Sequence, residues 1–298
     1  MADSRKVWAV GPACISSLPK SIRKTLASLE MAGRSTDSLR ERVHYLRYAF
    51  GEHPQRKEST SQTGPVWQYW HSGYEGAPET IQKCFDSVAR WTNGRERILV
   101  TEKTVLEYAS FPPWVLEKRR SMGQTHFSDL LRVNLLKEHG GTWVDASVYL
   151  SGRIDDLTCN PFFAFTRPND PFLLSNWFMH ASKGHFIPTL MAAMLLNYWQ
   201  SEDRIRDYYL FHYIFEVAFT TNAQFRGKWL GTPVRWHDHP HWLQTNFGRQ
   251  PGVGELQAAI TATAVHKLSY KFDEPTIALL SNCIERVNEL LTPSNLIS

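Results

Sequence analysis

From Gly64 onward the apolar positions alternate between short runs of period two and longer runs of period three to four, the marks of strands and helices in turn. Val66 to Trp70 reads as a strand ending in a His71-Ser72-Gly73 turn, and Pro78 to Trp91 as a helix. Arg97 to Thr101 reads as the next strand. Helices follow near Lys103 to Ala109 and Pro113 to Ser121, each opened by a capping residue or an early proline. This order predicts an α/β fold, a Rossmann-type and mostly parallel sheet with helices on both faces, which takes ligands beyond its strand ends. Upstream, two helix-like stretches near Leu18 to Met31 and Ser38 to Phe50 precede a polar run from Glu52 to Thr63. In the second, Leu39, Val43, Leu46 and Phe50 form one apolar stripe, expected to dock on the main domain or else on a partner or a membrane surface. The chain therefore divides into an N-terminal helical extension and linker over 1–62 and an α/β domain over 63–298.

The most informative stretch runs from Thr125 to Leu150. Phe127, Leu130, Leu131 and Leu135 give helical spacing, and Gly140-Gly141 stops the helix. Asp129 and Arg132, three apart, share one face, either as a surface ion pair or as a fork for sugar hydroxyls. After the stop, Thr142 to Leu150 reads as one strand, with Trp143, Asp145, Ser147 and Tyr149 on one side. A carboxylate in such a strand is costly to bury unless paired or bound to a metal. Ser147 adds a second oxygen on the same side, and oxygen ligands suit Mg²⁺ or Mn²⁺.

Composition narrows the field. The 298 residues are 42% hydrophobic and 21% charged with a net charge of +4, so the chain is globular, and its scattered basic residues make nucleic acid a poor partner. Aromatic residues reach 13%, enough to supply stacking surfaces as well as core. Cys14, Cys84, Cys159 and Cys283 lie far apart and read as buried free thiols. No apolar run is long enough to span a membrane, and the first twenty residues carry no apolar signal core, which makes cytoplasmic residence the expectation.

The pattern S-D-x-x-R-x-x-x-L-x-x-x-G-G-x-W-x-D-x-S, with V-W-Q-Y-W-H-S-G upstream, resembles the capsular polysaccharide synthesis proteins, which are similar to the DXD-containing glycosyltransferase family thirty-two. The resemblance runs over roughly 64–272, taking in the stretches at 174–185, 207–215 and 265–271. It implies a GT-A-like fold, a UDP-sugar donor, Mn²⁺ or Mg²⁺ on the diphosphate, and transfer of a hexose to an acceptor hydroxyl with retention. On this resemblance Asp129 and Arg132 match the sugar-contacting pair and Asp145 the first aspartate of the DXD. Ser147 departs from the second aspartate and weakens the implied metal set. His266 would complete the metal shell, Lys267 would meet the diphosphate, and Trp67, Gln68 and Tyr69 on the first strand would hold the base.

Two further readings compete. His237, Asp238, His239 and His241 in W-H-D-H-P-H-W form a polar loop at the acceptor mouth, or, as a metal centre, would make the protein a metal-dependent hydrolase. A lineage carrying Ser147 would alternatively bind a nucleotide sugar without turnover. Pro188 to Trp199 is apolar all round and reads as a buried helix. Tyr208, Phe211, Phe215 and Phe219 form an aromatic stripe with His212 beside it and read as core, while the resemblance would alternatively set Asp207 in the polar lining of the acceptor cleft.

Overall fold

The computed structural model describes residues 64–92, 94–167 and 172–292, so the expected N-terminal extension lies outside the described residues. The chain runs β1 (Val66–Tyr69), α1 (Glu79–Trp91), β2 (Arg97–Val100), short helices α2 (Val105–Tyr108) and α3 (Pro113–Glu117), then α4 (Arg119–His139). Strands β3 (Gly141–Val144) and β4 (Val148–Leu150) precede the short helix α5 (Asp155–Thr158), β5 (Phe162–Thr166) and β6 (Leu174–Ala181). The remainder is α6 (Phe186–Ser201), α7 (Leu210–Thr221), α8 (Ala223–Leu230), α9 (Asp238–Asn246), α10 (Val253–Ala262), β7 (Val265–Lys267) and α11 (Glu274–Leu290).

The predicted α/β class holds. The main sheet has the order β2-β1-β3-β6-β5; its β2-β1-β3 half is parallel, and β6 and β5 join antiparallel. Both faces are covered, as the near-continuous burial of β1 and β3 requires. On one face Trp67 and Trp143 pack with Phe127, Trp199, Phe211 and Phe215 from α4, α6 and α7. On the other, Val66 and Val144 pack with Val88 of α1 and with Phe163, Phe165 and Phe178. Helix α6 is the buried apolar helix its composition predicts. Of the expected stripe on α7, Phe211 and Phe215 are core, whereas Tyr208 precedes the helix and is exposed. Cys84 and Cys283 are buried free thiols, but Cys159 is exposed.

Glycine fixes the approach to the site. Helix α4 ends at Gly140, with φ +72°, and β3 begins at Gly141, with φ +97°, both in the left-handed region that disfavours any side chain. A Cβ on Gly141 would stand 2.2 Å from the Pro65 carbonyl oxygen, so this close passage of β3 beside β1 admits only glycine.

One expectation fails here. Thr142 to Leu150 is not a single strand: β3 stops at Val144, the Asp145 N–H donates to Trp177 O at 2.8 Å, and the Val148 N–H donates to Asp145 O at 2.9 Å to close a turn. The chain leaves the main sheet at that turn, and β4 pairs antiparallel with β7 in a separate two-stranded sheet, Val148 opposite Lys267. Asp145, Ala146 and Ser147 thus form the hinge between two sheets rather than one edge of a strand. Tyr149 departs with β4 and is buried, its hydroxyl donating to Asn288 Oδ1 at 2.7 Å.

Candidate active site

A cavity of about 600 Å³ opens beyond the carboxyl end of β1, where a parallel α/β sheet presents its loops. It is lined by the Asp145–Ser147 turn, by Trp70 and His71, by Lys267 to Lys271, and by Tyr208 and His241. Asp145 supplies the one carboxylate among the described residues that line it.

That carboxylate is held from three sides. The Trp143 indole N–H donates to Asp145 Oδ1 at 2.7 Å, Arg132 Nη2 lies 3.4 Å from the same oxygen, and Lys267 Nζ lies 3.4 Å from Oδ2. Lys267 also donates to Ser147 Oγ, and the Leu268 N–H donates to Ser147 O at 2.8 Å, so β7 clamps the turn from outside. Arg132 is itself fixed: Nη1 donates to Asn176 O at 2.5 Å, Nε to Ser128 O at 3.2 Å, and Nη2 sits 3.2 Å from Asp129 Oδ1. Its guanidinium lies over the Trp143 ring at 5.1 Å. Asp129 further accepts from Asn176 Nδ2 at 2.9 Å.

Five expected site residues, Asp129, Arg132, Asp145, Ser147 and Lys267, therefore form one contiguous network. Within it the roles differ from expectation. Asp129 and Arg132 are 4% and 3% exposed and do not line the cavity, so they are neither a surface ion pair nor an open fork for sugar hydroxyls; they brace Asp145 from behind. The reason is the helix face: α4 turns positions 129 and 132 toward the sheet, where Asn176 of β6 and the Asp145 turn consume their polar groups.

The expected base-holding trio also separates. Trp67 is core, its indole N–H donating to Gly140 O at 2.9 Å and its ring packed on Tyr108 and His139. Gln68 is fully buried. Tyr69 reaches the cavity, with its hydroxyl donating to Gln124 Oε1 at 2.8 Å and accepting from Arg119 Nη2 at 2.6 Å. Trp70, one residue past the strand, also lines the cavity, edge-on to Tyr270 at 5.3 Å. Its position at a carboxyl strand end was the available signal for it.

The expected metal set does not assemble. Residues 266 and 267 are neighbours on β7 and so point to opposite faces. Lys267 faces the turn, while His266 is fully buried, with Nε2 2.8 Å from Ser151 Oγ. Burial lowers the His266 pKa to about 3. Between Asp145 and Ser147, where a divalent ion was expected, stands the Lys267 ammonium. These residues do not fit a bound Mg²⁺ or Mn²⁺.

The histidine cluster fares similarly. Residues 238 to 246 are helix α9 rather than a loop, and on its first turn Asp238 and His239 are exposed while His241 points inward to the cavity. His237 Nε2 lies 3.3 Å from Asp238 Oδ1, and the His237 and His241 rings meet edge to face at 5.3 Å. Among the described residues no three His, Cys, Asp or Glu side chains are grouped to hold a metal ion. The hydrolase reading loses its centre. His241 remains as a cavity residue whose pKa is lowered to about 4, by burial first and then by His237 and Lys267, which leaves it a neutral imidazole at pH 7.

The family profile of the capsular polysaccharide synthesis proteins matches residues 23–284. The chain belongs to this family. The match begins well upstream of Gly64, so it takes in part of the stretch read as an extension. Two curated relatives are similar over part of their length. The O-glycosyltransferase PaGT of Phomopsis amygdali is 30% identical over 38% of this chain and 34% of its own, and the O-glycosyltransferase braB of Annulohypoxylon truncatum is 28% identical over 40% of this chain and 30% of its own. The matched stretch thus spans about a third of each relative. Among solved structures, the PaToxG glycosyltransferase aligns at 12% identity with a TM-score of 0.42, covering 85% of this chain and 95% of that one. Among the described residues of this chain, no helix is long and apolar enough to cross a membrane.

Proposed function

We propose that this chain is a glycosyltransferase that moves a hexose from a UDP-sugar to an acceptor hydroxyl. The observation that carries the reading is the cavity at the β1 strand end, lined by a braced Asp145 and by Lys267, Lys271 and Trp70. Family membership and two partly matching relatives named O-glycosyltransferases support it. The cavity's size suits a nucleotide sugar, its aromatic edge offers a stacking face for a base, and its lysines offer charge for a diphosphate.

In the proposed step the bond between the anomeric carbon and the diphosphate oxygen breaks, and its electron pair leaves on the nucleoside diphosphate. The acceptor oxygen bonds to the anomeric carbon from the same face, and the acceptor proton passes to the departing phosphate oxygen. Retention follows from that geometry. This chain's part is to hold the donor, to stabilise the leaving charge with Lys267, and to orient the sugar against Asp145.

The test is calorimetric titration of UDP and of GDP into the purified chain, repeated with Trp70→Ala. The reading expects UDP to bind and Trp70→Ala to weaken it about tenfold, the value of one stacked base. Equal affinity for UDP and GDP would remove the UDP assignment, and binding of neither would remove the donor site.

A further inference from the structure

Resting on the donor-site reading above, we infer that Lys267 stands in for the divalent ion, and that this chain binds its nucleotide and releases its leaving diphosphate without a metal. Three features of this chain converge on this. The second acidic position of the DXD-like sequence is Ser147, a neutral hydroxyl, so the turn offers a single carboxylate to a cation. The imidazole that would complete a metal shell, His266, is turned into the protein interior against Ser151. The ammonium of Lys267 touches both oxygens a metal would use, Asp145 Oδ2 at 3.4 Å and Ser147 Oγ.

The backbone makes this placement obligatory rather than incidental. Val148 pairs with Lys267 across β4 and β7, and the Leu268 N–H donates to Ser147 O at 2.8 Å, so the lysine emerges directly over the turn. A divalent ion between Asp145 and Ser147 would have to displace that ammonium or share the space with a like charge. Lys271, which also lines the cavity, supplies a second positive charge for a diphosphate. The chemistry asked of a metal in such a step is neutralisation of the charge that develops on the departing diphosphate, and a buried-stem ammonium fixed by a strand can supply it. Asp145, engaged by Trp143, Arg132 and Lys267, then acts as the anchor that aims the ammonium rather than as a ligand.

The experiment is the UDP titration carried out on metal-stripped chain in EDTA and again in excess Mn²⁺, with Lys267→Met and Lys267→Arg alongside and circular dichroism to establish folding. Equal UDP affinity in the two conditions, a loss of at least tenfold in Lys267→Met and partial rescue in Lys267→Arg support the inference. UDP binding that appears only with Mn²⁺ overturns it while leaving the donor site standing. Wild-type affinity in a folded Lys267→Met also overturns it. Absence of UDP binding in both conditions overturns the donor site itself, and the lysine's role with it.

Discussion

Trp143 donates its indole N–H to Asp145 Oδ1 at 2.7 Å, from within β3 to the first residue beyond the strand. The tryptophan is 1% exposed and the aspartate is partly open to the cavity, so a core residue aims a cavity residue. A hydrogen bond to a charged acceptor is worth about 1.5 kcal/mol or more, roughly tenfold in an equilibrium. Trp143→Phe keeps the ring in the core and removes only the donor. It is expected to lower stability by about 1.5 kcal/mol in urea unfolding and, by freeing the carboxylate, to weaken UDP binding. An unchanged UDP affinity would mean that Asp145 holds its place without the indole.

Arg132 is buried between two carboxylates, with Nη2 3.2 Å from Asp129 and 3.4 Å from Asp145. Removing one partner of a buried pair leaves charge without compensation and costs about 3–5 kcal/mol. Arg132→Met, similar in volume, is therefore expected to lower stability by about that amount in urea unfolding at pH 7. Adding Asp129→Asn should recover part of the loss, because it removes one of the two stranded charges. A loss below about 1 kcal/mol in the single variant would show that the network is not the brace described above.

Among the described residues, three imidazoles with lowered pKa shape the acid limb of stability: His241, held at about 4, and two that are buried. His266 and His212 are both held at a pKa of about 3, His266 by burial and His212 by burial and then by Arg167 and Arg132. In the unfolded chain each titrates near 6.5. Above that pH neither state takes up a proton and the full stability is present. As pH falls from about 6.5 toward 3, the unfolded chain binds protons that the folded chain refuses. Stability then drops by up to about 1.4 kcal/mol per pH unit for each histidine. Urea midpoints measured from pH 7.5 down to 4.5 are expected to fall accordingly, and His266→Asn should flatten the slope by about one proton. An identical slope in that variant would contradict a neutral His266.

The local signals in the sequence were faithful as far as each element extends. The helix, glycine stop and strand at residues 125–144 appear as α4, Gly140-Gly141 and β3, because apolar residues at helical spacing and a left-handed glycine pair leave the backbone few choices. Beyond Val144 the same logic misled. The residues Val144-Asp145-Ala146-Ser147-Val148 keep a period of two through the turn, so nothing local marks the point where the chain leaves one sheet for another. Period two likewise sets Trp67 and Tyr69 apart from Gln68 and Trp70 on β1 without saying which side or which end meets a ligand. The direction of Asp129 and Arg132 was hidden for a different reason. Their shared partner, Asn176, lies on β6, more than forty residues away, and no spacing within α4 reveals it.

The pairing of β4 with β7 joins positions 148 and 267. During synthesis the Asp145–Ser147 turn can form its main-sheet contacts early, yet its clamp does not exist until the strand bearing Lys267 has left the ribosome and found its partner. Long-range antiparallel pairing of this kind closes late and slowly. A nascent chain therefore carries an unclamped Asp145–Ser147 turn through more than a hundred residues of elongation, until β7 pairs with β4. Ligand capture would in that case report the docking of β7 on β4.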